Sequence, residues 1–269
     1  MRDSSKRASL GAGILFLVLA RPAAAQIDYR NLDDHRPVST EDAYPVERHA
    51  FELIFPYHFE AESEGANLHA VVPEIAYGVF ANAQIGFKAP VATVSGAGGR
   101  ETGLSGLSLF ALYNLNTDGP WMPALSLRGD LSLPLGSLAG DGSRFTLKAI
   151  ATRSWGMTRA HVNGSWTFGS GEPLAAFEAA DRWSASIAID RAVIRRSLLL
   201  IGEVAVAEAV RGAPTAVNAA LGFRWQWTPT VVLDGGVERR LRESVGPDIG
   251  LTVGFSYAFA LRSLMPGGR

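Results

Sequence analysis

Residues 249–260 read Ile-Gly-Leu-Thr-Val-Gly-Phe-Ser-Tyr-Ala-Phe-Ala, and this stretch decides the fold. Ile249, Leu251, Val253, Phe255, Tyr257 and Phe259 alternate with Gly250, Thr252, Gly254, Ser256 and Ala258. A two-residue period sends the large side chains to one face of a strand and the small ones to the other. Residues 217–227 repeat the pattern, with Val217, Leu221, Phe223, Trp225 and Trp227 set between Asn218, Gly222, Arg224 and Gln226. In 125–133, Leu125, Leu127, Leu131 and Leu133 alternate with Ser126, Arg128, Asp130 and Ser132. Similar alternation covers 50–59, 67–77, 83–94, 103–115, 144–155, 159–168, 181–191, 197–208 and 231–238. The count is about twelve strands, an even number that suits an all-β, antiparallel, up-and-down transmembrane barrel.

Alternation is equally compatible with a soluble barrel whose apolar face points inward, so the rest of the chain must decide. Arg2, Lys6 and Arg7 precede the apolar run Leu10 to Ala20, and Ala23 and Ala25 supply a small-x-small cleavage signal. This is the anatomy of a secretory signal peptide over residues 1–25, too short to span a bilayer. Turns near 78–82, 156–158, 192–196 and 228–230 are tight, whereas connections near 95–102, 134–143, 169–180 and 241–247 are longer and polar. Short periplasmic turns facing longer external loops are the asymmetry of an outer-membrane barrel with both termini in the periplasm. Tyr77, Tyr113, Trp155, Trp225, Trp227, Tyr257 and Phe259 fall at one set of strand ends; Phe59, Phe145, Trp166, Phe168 and Trp183 fall at the other. Two such groups suit two interfacial girdles. The expected location is the bacterial outer membrane.

Composition removes other classes. Cysteine is absent from the 269 residues, which excludes disulfide scaffolds and thiol chemistry. Without residues 1–25 the chain keeps 21 basic and 25 acidic residues, a net of −4, too balanced for a nucleic-acid binder. Residues 26–48 are polar without a period and read as a periplasmic N-terminal arm, 49–261 as one barrel domain, and 262–269 as a C-terminal tail.

Around Thr40-Glu41-Asp42-Ala43, then Leu133-Pro134-Leu135-Gly136, then 228–259, the chain resembles the outer-membrane transporters of the MetA-pathway phenol-degradation family. The resemblance spans most of the mature chain on soft motifs and carries no catalytic signature. It implies a barrel that moves small, often aromatic, compounds. Two departures stand out: Pro134-Leu135-Gly136 replaces a Pro-Thr-Gly-like stretch, and ten residues follow Phe259.

Strand parity assigns Glu52, Glu74, Lys88, Arg128, Asp130, Lys148, Asp190, Glu203, Arg224, Asp234 and Glu238 to the inner face. A charge facing lipid near the midplane costs about 2–4 kcal/mol for Arg or Lys, so these residues line the lumen either as a selectivity surface or as a structural ion-pair network. A narrow or partly plugged pore is expected, passing solutes passively along the axis or sideways through a gap at Pro56, Pro73 or Pro90. Two alternatives are a soluble exported barrel that binds a hydrophobic ligand and an outer-membrane lipid-modifying enzyme built on His161, Asn163 and Ser165. Residues i and i+2 on a strand stand about 6.6 Å apart, too far for direct proton transfer, so no enzyme is expected. His35, His49, His58, His69 and His161 lack metal-binding spacing, and Gly96-Ala97-Gly98-Gly99 lacks the Lys of a phosphate loop. No cofactor or metal is expected. The partners expected are outer-membrane lipids, the barrel-assembly machinery and a small solute, with Arg100, Arg211, Arg239, Arg240 and Arg242 available to lipopolysaccharide phosphates. Arg195-Arg196 is assigned no role.

Overall fold

The computed structural model describes residues 22–24, 27–62, 65–169, 178–194, 197–210, 214–242 and 246–265. The signal peptide other than 22–24, the end of the tail, Arg195-Arg196 and Arg211 lie outside the described residues. Twelve antiparallel strands close into a barrel. They are β1 (Ala50–Ala61), β2 (Asn67–Val71 with Glu74–Phe80), β3 (Ala83–Lys88 with Val91–Gly96) and β4 (Gly99–Leu104 with Leu107–Asn116). Then follow β5 (Ala124–Leu133), β6 (Arg144–Trp155), β7 (Thr158–Gly169), β8 (Glu178–Val193) and β9 (Leu198–Val210). β10 (Ala216–Thr228), β11 (Val231–Arg240) and β12 (Ile249–Leu261) complete the wall. β12 pairs with β1 from Ile249–Ala61 to Ala260–Ala50, which seals the barrel. Pro22–Ala24 adds a short pairing beside Phe259 to Leu261.

Face polarity separates the membrane barrel from the soluble one. Ile249, Leu251, Val253 and Phe255 are exposed, as are Ile187, Ile189, Leu221 and Trp227. Arg36, Arg128 and Arg224 are among the most buried large side chains, each at 1% exposure or less. Apolar residues outside and guanidinium groups inside are stable only where the surroundings are lipid. Outward aromatics gather near the end where β1 begins: Phe51 stacks on Tyr77 at 4.5 Å and on Phe259 at 5.2 Å.

Two findings depart from the sequence reading. Residues 95–102, expected as a loop, form the tip of a hairpin between Val91–Gly96 and Gly99–Leu104, because Thr93 and Thr102 face each other and bond at 2.9 Å. The prolines named as candidate kinks form a crease across four strands. Pro56, Pro73 and Pro90 lie in β1, β2 and β3 at successive bends, joined by single bonds: Val72 N to Pro56 O at 3.1 Å, Ala89 N to Pro73 O at 3.0 Å, and Ser105 N to Pro90 O at 2.9 Å. Gly106, at φ 125°, turns β4 at the same level. Proline lacks the ladder donor, so pairing is interrupted there. Beyond the crease, Gly99–Leu104 is laddered only to Val91–Gly96, while β5 ends opposite Leu107 at Leu133.

The second departure is the arm. It does not trail in the periplasm: residues 27–48 enter the barrel from the end bearing the termini, turn at Asp33–Arg36 and return to start β1. Ile27, Tyr29, Leu32 and Val38 pack against inward Ala188, Ala192, Leu199, Ile201, Ala220 and Val232. Ala43 and Tyr44 pack with Leu112, Ala124 and Ile150. The arm's charges explain its position, since the unpaired inner face of a small barrel must be satisfied by something other than lipid.

Candidate solute pathway

Strand alternation puts a polar side chain on the inner wall every second residue, and the plug answers them in turn. Arg224 donates to Asp33 at 2.6 Å, and Arg36 donates to Asp234 and, at 2.8 Å, to Ser256. Asp34 accepts from Lys88 at 2.7 Å and from Lys148. Glu203 accepts from Ser39 N at 3.1 Å and Thr40 N at 2.5 Å. Arg128 donates to Glu41 at 2.6 Å and lies 4.1 Å over the Phe110 ring. Arg159 donates to Asp42 at 2.9 Å, Thr152 Oγ1 accepts from Ala43 N at 3.0 Å and lies 3.0 Å from His161 Nδ1, and Gln84 accepts from Val46 N at 2.6 Å. Inward Gly222 and Gly236 leave the space that Pro37 occupies: a Cβ on Gly222 would stand 2.9 Å from the Pro37 ring.

Asp33, Asp34 and Asp42 of the plug feel two opposing effects. Burial pushes each upward. At Asp34, Lys148 and Lys88 outweigh burial and hold the carboxyl well below the usual range; at Asp33, Arg224 and Arg36 outweigh burial and lower it. At Asp42 burial prevails over Arg159 and His161, and the carboxyl stays above its ordinary value.

Of the eleven residues assigned inward from parity, Lys88, Arg128, Lys148, Glu203, Arg224 and Asp234 bind the plug directly, as above. Asp130 accepts from Arg128 at 2.8 Å, and Glu74 stands 3.6 Å from Lys88. Asp190 accepts from Arg159 at 2.7 Å and pairs with His161 at 2.9 Å. Glu52 is buried, and Glu238 accepts from Asn218. Sequence reasoning missed Arg159, Thr152, Gln84 and the acidic residues Asp33, Asp34, Glu41 and Asp42, while Asn163, read with His161 and Ser165 as lumen-facing, meets the plug backbone at Glu41. The arm's charge density was visible in the sequence, but it fits a solvated lead-in as well as a plug. His161 and Ser165 belong to separate networks, His161 with Thr152 and Asp190 and Ser165 with Ser184 at 2.7 Å. They do not form a nucleophile–base pair.

Above the plug lies a vestibule of about 510 Å³. Asp34, His35 and Ser39 form its floor, and the wall carries hydroxyl pairs such as Ser108–Ser132 at 3.0 Å and Thr146–Thr167 at 2.8 Å. A side pocket of about 260 Å³ opens between the plug apex and the crease. Ile54, Pro56, Leu68, Ala70 and Val72 give it an apolar wall, and it shares Asp34 and Lys88 with the vestibule.

Fold and lumen together define a plugged transmembrane β-barrel. Solved structures with the same fold include an outer membrane channel from Pseudomonas putida F1, with a TM-score of 0.66 at 15% identity, over 85% of this chain and 100% of that one. The KdgM porin matches with a TM-score of 0.52 at 12% identity, over 77% of this chain and 98% of that one. The NanC porin gives 0.52 at 9% identity, over 77% and 98%. The sequence matches no protein-family model and no curated protein.

Proposed function

We propose that this chain is an outer-membrane channel for the passive passage of small solutes, exported by cleavage of residues 1–25. The observation that carries the reading is a vestibule of about 510 Å³ above a plug, inside a wall of inverted polarity. The fold shared with a channel and two porins supports it. Loops face outward toward lipopolysaccharide, turns and termini face the periplasm, and barrel-assembly machinery inserts the chain. The finer reading, membership of the MetA-pathway family with hydrophobic or aromatic solutes, rests on the soft motifs and on the apolar side pocket.

A second reading concerns the route. Two apolar clusters pack the plug into the periplasmic half, which obstructs axial passage. The crease at Pro56, Pro73 and Pro90 and the unladdered edge of Gly99–Leu104 favour lateral release into the membrane. Flux of labelled aromatic compounds into proteoliposomes tests the function. Saturable or conductive passage above empty liposomes is expected; correctly folded protein with neither flux nor single-channel conductance would overturn it.

A further inference from the structure

Lys88 and Lys148 stand on β3 and β6, yet both ammonium groups converge on one carboxylate. Asp34 offers Oδ2 to Lys88 at 2.7 Å and Oδ1 to Lys148. Both lysine side chains are about nine-tenths buried, at 12% and 10% exposure. The cradle is part of the wall, but its occupant is not: Asp34 belongs to the plug apex. Next to it His35 holds φ 60°, a left-handed conformation that costs a non-glycine residue energy, and its side chain is 71% exposed. Ion pairs, not relaxed backbone, therefore hold the apex down.

We propose that the Lys88–Lys148 cradle is a binding site for the carboxylate of a small amphipathic acid, and that Asp34 is its built-in competitor. The inference rests on the channel reading for the arrival of solute. One carboxylate with one oxygen on each ammonium is a geometry that any carboxylate reproduces, and such charge-assisted bonds are strong where water is scarce. The neighbouring charges set the count. Lys88, Lys148 and Arg128 face Asp34, Glu41, Glu74 and Asp130 within the same network. With Asp34 withdrawn, three cations face three carboxylates, and a ligand carboxylate returns the network to its original count of three cations and four carboxylates. The side pocket supplies the apolar half of the recognition. It shares Lys88 with the cradle and presents Ile54, Leu68, Ala70 and Val72. Its volume of about 260 Å³ exceeds the ~150 Å³ that accommodates benzene in an apolar cavity. An aromatic or short aliphatic monocarboxylate thus places its head on the lysines and its body against the crease, and displaces Asp34 in doing so. Solute binding and release of the plug apex become one event.

The test uses the folded chain in nanodiscs, with folding checked by heat-modifiable gel mobility. Sodium benzoate and benzyl alcohol are titrated by calorimetry. Benzoate is expected to bind saturably and benzyl alcohol at least roughly tenfold more weakly, the worth of one charge-assisted bond. Asp34→Asn removes the competitor and tightens benzoate binding roughly tenfold, whereas Lys148→Gln weakens it by a similar factor. If Lys148→Gln does not fold, Lys88→Gln replaces it. Equal binding of benzoate and benzyl alcohol, or unchanged benzoate affinity in Asp34→Asn, overturns the proposal. Single-channel conductance of the same preparations separates the two claims: conductance without benzoate binding sinks the carboxylate site alone, and binding without conductance or flux sinks the channel.

Discussion

At the residue scale, the plug is held by charges that the wall could not leave unanswered. Removing one partner from a buried pair leaves the other uncompensated, at a cost of about 3–5 kcal/mol. Acid performs this removal reversibly. Asp33 and Asp34 have carboxyls depressed below 3.8 in the docked state. Their contribution to docking is complete above that value and is lost as pH falls through the depressed one. Asp42, raised by burial, works in the opposite direction, so docking gains nothing from its ionisation. The plug is therefore expected to remain seated from neutral pH to about pH 4 and to loosen below it. A spin label at Ser39, on a chain without cysteine, reads this as increased mobility on acidification. Spectra that stay identical as pH is taken down through the depressed range of both carboxyls would show that the ion pairs do not hold the apex.

At the element scale, the crease turns four strands into a lower wall that is fully laddered and an upper flap that is not. β4 shows the division: Leu107–Asn116 pairs with β5, whereas Gly99–Leu104 pairs with Val91–Gly96 on one edge and meets a loop on the other. That loop touches the edge through Leu138 N to Leu104 O at 3.0 Å, and Ser137 lies against Gly103. These few contacts leave the free edge of Gly99–Leu104 a weakly bonded seam among the described residues, and local openings follow the segments with few bonds. Gly103→Cys with Ser137→Cys, oxidised, staples it. If solute leaves sideways, the stapled protein loses aromatic flux and regains it on reduction. Undiminished flux through the stapled barrel would rule out this exit.

At the scale of the whole molecule, plug and wall are one folding unit with two candidate routes. Thr40 and Ser186 place their hydroxyls 2.7 Å apart, plug to wall. Thr40→Cys with Ser186→Cys therefore locks the plug in place without disturbing the crease. Conductance along the axis is expected to fall in the oxidised form, while lateral flux continues. A locked protein that conducts like the reduced one would mean that ions pass without displacement of the plug.

The wall was legible residue by residue. Alternation in 249–260 fixes which side chains share a face, because a strand has a strict period of two, and it locates β12 within a residue of where it lies. The same parity put Arg128, Lys148, Arg224 and Asp234 on one face. What the alternation could not say is what those side chains touch. Period is local, whereas Arg224 meets Asp33 across 191 positions of chain and Arg128 meets Glu41 across 87. The arm has no period of its own, so nothing in its order distinguishes a solvated tether from a plug. Only closure of the barrel, which brings twelve strands' worth of polar side chains around one small volume, decides that the arm's carboxylates belong inside. The crease divides the same way. Each proline was visible as a missing donor, but alignment of Pro56, Pro73 and Pro90 at one level depends on the register between strands, and register is a property of the assembled sheet.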